Sequence, residues 1–164
     1  MNDSLKYWSL EDAISARILT KIGAGYVVQS LPDNESEYKK PFEKGRVTVA
    51  YRKSDFANSV STDPIAQPET AHLEIVLECR TRRGNAGLFA MQKAVSDAVI
   101  GWRPPNWNRV WAKTHEFSER AENTWVYCLT VCCLGMLVEC RDPETLPTLT
   151  NPTANYTINP NVGS

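Results

Sequence analysis

The sequence predicts an α+β fold: two helices packed on a mixed, largely antiparallel sheet of about five strands, followed by an extended C-terminal arm. Three observations predict it. Leu73, Ile75, Leu77 and Cys79 alternate with side chains that are polar except for Val76, the period of a half-buried strand. Two other segments repeat apolar residues every three or four positions, the period of a helix with one buried face. The later strand segments are joined by short polar turns, which pair neighbours antiparallel. With 164 residues and 42% hydrophobic side chains, the chain has material for one core of ordinary size.

In chain order, Ser9-Leu10-Glu11-Asp12 reads as a helix start, with Ser9 as N-cap and two acids favoured by the helix dipole. Leu10, Ile14, Ile18 and Ile22, with Ala13 and Leu19 beside them, predict a helix over 10–22 closed by Gly23 and Gly25. Residues 26–31 read as a short strand ending at Pro32, and the polar, proline-containing stretch 32–45 as a surface loop. Arg46 to Arg52 alternates, with Val47, Val49 and Tyr51 on one face. Residues 53–69 are polar and read as a long loop or hairpin arm before the strand at 72–80. Leu88, Met91, Val95, Ala98 and Val99 predict a second helix over 86–100, ended by Gly101 and Pro104-Pro105. A fourth strand begins at Arg109, a turn falls near 118–123, and a fifth strand runs from Thr124 to about Val138. Residues 1–140 form the expected domain and 141–164 the arm.

Composition narrows the function classes. Eighteen Lys and Arg face 19 Asp and Glu, and a net charge of −1 argues against a dedicated nucleic-acid binder. No charged side chain follows Glu144, so a charged domain precedes a neutral Thr/Asn/Pro-rich segment unable to build its own core. Within it, Tyr156 and Ile158 alternate with Asn155, Thr157 and Asn159, the pattern of a strand added to another sheet. The start of the sequence lacks a signal-peptide pattern, and the apolar stretch 125–138 is shorter than the ~20 residues of a membrane helix, so no membrane role is expected.

Candidate chemistry is sparse. Five cysteines, an odd number, do not read as a disulfide framework. Cys128, Cys132 and Cys133 fall inside one strand, where Cys128 and Cys132 stand roughly 13 Å apart and adjacent Cys132 and Cys133 point to opposite faces. They read as small buried hydrophobes, as does Cys140, and neither a metal nor a cofactor is expected. His72 and Cys79 face opposite sides of their strand, and no nucleophile elbow surrounds either, so no catalytic residue is assigned. Gly84-Asn85-Ala86-Gly87 opens a helix but lacks the Lys-Ser/Thr ending of a phosphate loop.

Two clusters suit protein contacts. Arg80, Arg82 and Arg83 crowd a strand end, where Arg80 and Arg82 would share the polar face. Trp102-Arg103-Pro104-Pro105-Asn106-Trp107 sets two indoles around a rigid turn, fit either to pack under the sheet edge or to form an interface patch.

Residues 79–105, CRTRRGNAGLFAMQKAVSDAVIGWRPP, with LPDNESEY and GRVTVAYRKSDF upstream, resemble the Mu-like family of small neck proteins from contractile-tailed phages. The resemblance covers about residues 8–138; the cysteines of the fifth strand and the segment after residue 140 are features outside the family pattern. It implies the fold of a phage tail terminator and a homo-oligomeric ring, usually a hexamer. Such a ring sits in the virion neck on the last tail-tube ring, stops polymerisation and presents a joining surface to the head connector. The implied partners are tube, sheath and connector proteins, with DNA only passing through the lumen and assembly in the host cytoplasm. On that reading Arg80, Arg82, Arg83, Trp102, Arg103 and Trp107 are expected at subunit or partner contacts, and Tyr156 and Ile158 in strand addition. The alternatives are another neck, head-completion or baseplate ring and, from a different class, a cysteine-dependent enzyme.

Overall fold

The computed structural model describes residues 4–141, with side-chain surroundings from Lys6 onward. The elements are α1 (Ser4–Ile22), β1 (Tyr26–Ser30), α2 (Glu35–Tyr38), β2 (Gly45–Phe56), β3 (Ser61–Thr62), β4 (Ile65–Cys79), α3 (Leu88–Val99), β5 (Trp111–Ala121) and β6 (Thr124–Val138). One sheet runs in the order β1-β2-β4-β6-β5, with β3 paired to β4, and only β1 and β2 lie parallel. The expected class of helices on a mixed, largely antiparallel sheet is what the chain forms; Tyr156 and Ile158 lie outside the described residues.

One face of the sheet carries the core. Val47, Val49, Leu73, Ile75, Leu77, Leu129 and Val131 point toward Leu10, Ile14 and Ile18 of α1 and Leu88, Met91 and Val95 of α3. All of these are buried, so the alternation in β4 and the helical period in α3 arise from one apolar layer. Leu19 of α1, expected beside that stripe, is exposed. Its angular position lies off the face that meets the sheet.

Three elements differ from expectation, and the stretch 53–69 takes the hairpin-arm form of its two expected ones. Helix α1 starts earlier than Ser9, because Lys6 and Tyr7 reach Glu69 of β4 and hold an extra turn that local capping does not specify. It ends at Gly23, whose φ of +88° suits glycine. The loop 32–45 contains the short helix α2, N-capped by Asn34, whose side chain accepts from the Glu37 amide at 3.0 Å. The polar stretch 53–69 is a hairpin arm: β2 runs on to Phe56, and β4 begins at Ile65. Strand β5 begins at Trp111 rather than Arg109, and every one of its residues is exposed. The long helices lie over β1, β2 and β4, leaving β5 outside their cover.

The opposite sheet face is closed locally by α2 and the residues after it. Arg46 of β2 donates from Nε and Nη2 to the two carboxylate oxygens of Glu78 on β4, at 2.6 and 2.8 Å. Its Nη1 also donates to the carbonyls of Tyr38 and Lys40, and its guanidinium lies over the rings of Tyr38 and Phe42. Both charged residues are buried, so this pair fastens the 35–42 segment to the sheet.

Candidate functional site

Three surfaces and one polar constellation gather the side chains that can carry function. The first surface is the end of the sheet beyond the helices, where β2, β4 and β6 outrun α1. There the β4–β6 register sets Leu134, Met136 and Val138 opposite Thr70, Pro68 and Ala66. Phe56, Val60 and Ile65 sit on the adjoining hairpin arm. These six apolar side chains are 40–68% exposed; alternation sets Leu134, Met136 and Val138 on the face away from the helices and Phe56 and Ile65 on the helix side, so they flank both faces of the sheet end.

The second surface is the outer side of β5 on the helix face. Phe117 is 53% exposed and packs edge-on against Tyr127 and beside Trp125. Arg82 reaches this cluster from the turn after β4. Its guanidinium carbon lies 5.3 Å from the Phe89 ring centre and 4.9 Å from that of Trp125. Arg120 lies 5.0 Å from the same Trp125 ring. The third surface is a cleft at the other edge of the sheet, between α1, the end of β1 and the following loop.

The constellation joins Cys132, His72 and Asp55. Their β4–β6 register places His72 opposite Cys132, and Cys132 Sγ lies 3.3 Å from His72 Nδ1. His72 Nε2 stands 2.8 Å from Asp55 Oδ2, off the line a hydrogen bond requires. The residue types resemble a thiol-hydrolase triad, which pairing His72 with Cys79 did not reveal. Burial pushes the Cys132 thiol up, away from the thiolate a nucleophile needs. Burial likewise pushes Cys133 up to about 12. Cys79 is also buried, Cys128 half-buried, and Cys140 exposed rather than buried as expected, because it follows the end of β6. No group of three or more metal-ligating side chains occurs among the described residues.

The expected contact residues separate. Arg80 and Arg82 do not share a strand face, because β4 ends at Cys79 and the chain turns. Arg80 lies over Phe42 on the α2 side, whereas Arg82 enters the aromatic cluster on the helix side; Arg83 is exposed. The Trp102–Trp107 turn packs into the fold. Trp107 is 2% exposed, its indole pressed on Gly135 and covered by Lys6 Nζ at 4.6 Å. Arg103 donates from Nε to the Trp107 carbonyl at 3.0 Å, and Trp102 is half-buried beneath Arg17. Sequence reasoning missed the apolar sheet end and the partners of Arg82. The exposed Leu134-x-Met136-x-Val138 alternation was the available signal for the former.

No curated protein matches the chain closely enough to count as a relative. Among solved structures, it is similar to a chain in one described as the virion of native gene transfer agent (GTA) particle. The identity is 14% and the TM-score 0.43, covering 80% of this chain and 95% of the other. A family profile described as Gp37 protein matches residues 14–156, most of the sequence, and the chain belongs to that family.

Proposed function

We propose that this chain is a structural protein of a phage-type virion and, more finely, the tail terminator. In this role, copies form a closed homo-oligomeric ring, a hexamer by resemblance, on the last ring of the tail tube. The apolar sheet end, with Phe56, Val60, Ile65, Leu134, Met136 and Val138, is the observation that carries the reading. A sheet end with exposed apolar side chains on both of its faces is suited to axial stacking on the tube, while its two sheet edges remain for lateral neighbours. The ring would then occupy the site where another tube subunit docks and offer its far side to the head connector, with the sheath outside and DNA passing through the lumen. Membership of the Gp37 family and the resemblance of residues 79–105 to Mu-like neck proteins support this assignment.

The role is steric and requires no chemistry. Burial of Cys132, and the upward push it gives the thiol, favours a structural rather than nucleophilic use of the Cys132–His72 contact.

Electron microscopy of particles assembled without this protein tests the reading. A terminator predicts abnormally long or unjoined tails beside filled heads. Normal tails beside heads that leak DNA would refute it and indicate a head-completion ring.

A further inference from the structure

The helix-side face of the β5 edge is basic around Trp125, its Glu116 and Glu119 lying on the other face, and the cleft at the β1 edge is acidic. Strands β1 and β5 are the outermost members of the sheet, so they face away from each other across the subunit. A closed ring joins copies through two different, complementary surfaces, head to tail.

On the β5 edge, Arg82 and Arg120 both lie within 5.0 Å of the Trp125 ring centre. Neither forms an ion pair among the described residues, and Arg82 Nε is buried there without a hydrogen-bond partner. Stacking on aromatic faces orders a guanidinium while leaving its fork free for a carboxylate. Beside them Phe117 stands exposed.

On the β1 edge, a cleft of about 470 Å³ has Glu11, Asp33 and Glu37 in its walls and Lys40 as its one base. Asp33 and Glu37 are exposed and form no ion pair among the described residues. Trp8 and Leu31 line the same cleft, 60% and 51% exposed. The arginines around Trp125 and the carboxylates of the cleft therefore offer unpaired charge of opposite sign, each beside apolar surface.

Backbone pairing across β5 is disfavoured. Its ladder with β6 is broken by register shifts at Ala112/Thr114 and Phe117/Glu119, and such bulges twist an edge away from strand addition.

We propose that a second copy of this chain docks by side chains at these edges: Arg82 and Arg120 of one subunit receive Asp33 and Glu37 of the next, with Phe117 against Trp8 and Leu31. This rests on the ring reading above and names the contact that closes the ring.

Sedimentation equilibrium of the full-length protein tests it with two charge-reversed variants, R82E/R120E and D33K/E37K. The wild type is expected to sediment as a multimer. Each variant should associate roughly tenfold or more weakly, and shift toward monomer, because close interfacial charge pairs are strongly coupled. Mixing the two variants should restore a multimer in which they alternate, since every junction then sets an acidic edge against a basic one. The chain carrying all four reversals should regain the wild-type multimer. R120E alone changes an exposed side chain and reads the same edge if R82E unfolds.

A monomeric wild type, variants that multimerise as the wild type does, or four reversals without recovery would each overturn the proposal. Tail length in particles lacking the protein is read independently. Overlong tails together with unaffected association of the variants would place the lateral contact elsewhere while keeping the capping role.

Discussion

Removing one partner of the Arg46–Glu78 pair offers a sharp test of how the sheet's far face is built. In Arg46→Ala, Glu78 loses both of its guanidinium bonds, at 2.6 and 2.8 Å, and remains a buried carboxylate without compensation. The Tyr38 and Lys40 carbonyls lose a charged donor in the same step. Breaking a buried pair by removing one partner costs about 3–5 kcal/mol, a large share of the ~5–15 kcal/mol that holds a domain folded. Glu78→Gln should fall in the same range, by leaving the guanidinium uncompensated. The double change Arg46→Met/Glu78→Leu should cost less than the two single losses added together, since it removes both charges from the interior. Urea unfolding followed by tryptophan fluorescence gives the stabilities, and hydrogen exchange at residues 35–42 reports whether α2 comes loose. A single-variant cost below about 1 kcal/mol, the scale of an exposed ion pair, with unchanged exchange at 35–42 would refute the reasoning.

Three further outcomes follow from the same contacts. Gly135→Ala sets a Cβ 2.6 Å from the Trp107 indole, so it should destabilise by about 1–3 kcal/mol in thermal unfolding and shift tryptophan emission. Glu69 is fully buried; burial raises its carboxyl, but hydrogen bonds from Lys6, Ser54 and Tyr7 outweigh that and hold it below the usual range. Its stabilisation is therefore present above the unfolded value of about 4.3 and lost as pH falls through the lower folded value. Urea titrations should accordingly show Glu69→Gln weaker than wild type at neutral pH and flatter in the acid range; equal pH slopes would contradict this. Met136→Asp with Val138→Asp alters exposed positions, so stability should move within about 0.5 kcal/mol per change while docking on tail tubes is lost; retained docking, read by co-sedimentation with tubes, would count against the apolar end.

What the sequence disclosed follows from where the core lies. Strand β4 and helix α3 each present one face to a dry layer, so Leu73–Cys79 and Leu88–Val99 carry clear periods, and β6 ends at the expected Val138. Strand β5 meets no helix layer, so no burial constrains its side chains and its start could not be fixed from periodicity. Helix α1 gained its first turn from Lys6 and Tyr7 reaching a residue more than sixty positions away, which local capping cannot register. Helix α2 was readable: Asn34 followed by Glu37 is a capping pattern, hidden by the polarity of its surroundings. Among the site residues, Arg82 stood out by composition, but its aromatic partners come from α3 and β6, and only the folded turn places them around it. The Trp102–Trp107 turn resolved toward packing once Gly135 opened a seat for Trp107. His72 and Cys132 meet through strand register alone.

Tube polymerisation in the presence of this protein tests the central claim most directly. Purified tube subunits would be assembled with increasing amounts of the full chain, and tube lengths measured by electron microscopy. A terminator predicts that mean length falls as the protein is added and that a ring of density marks one end of each tube. Lengths that stay constant, with no ring at either end, would contradict the account.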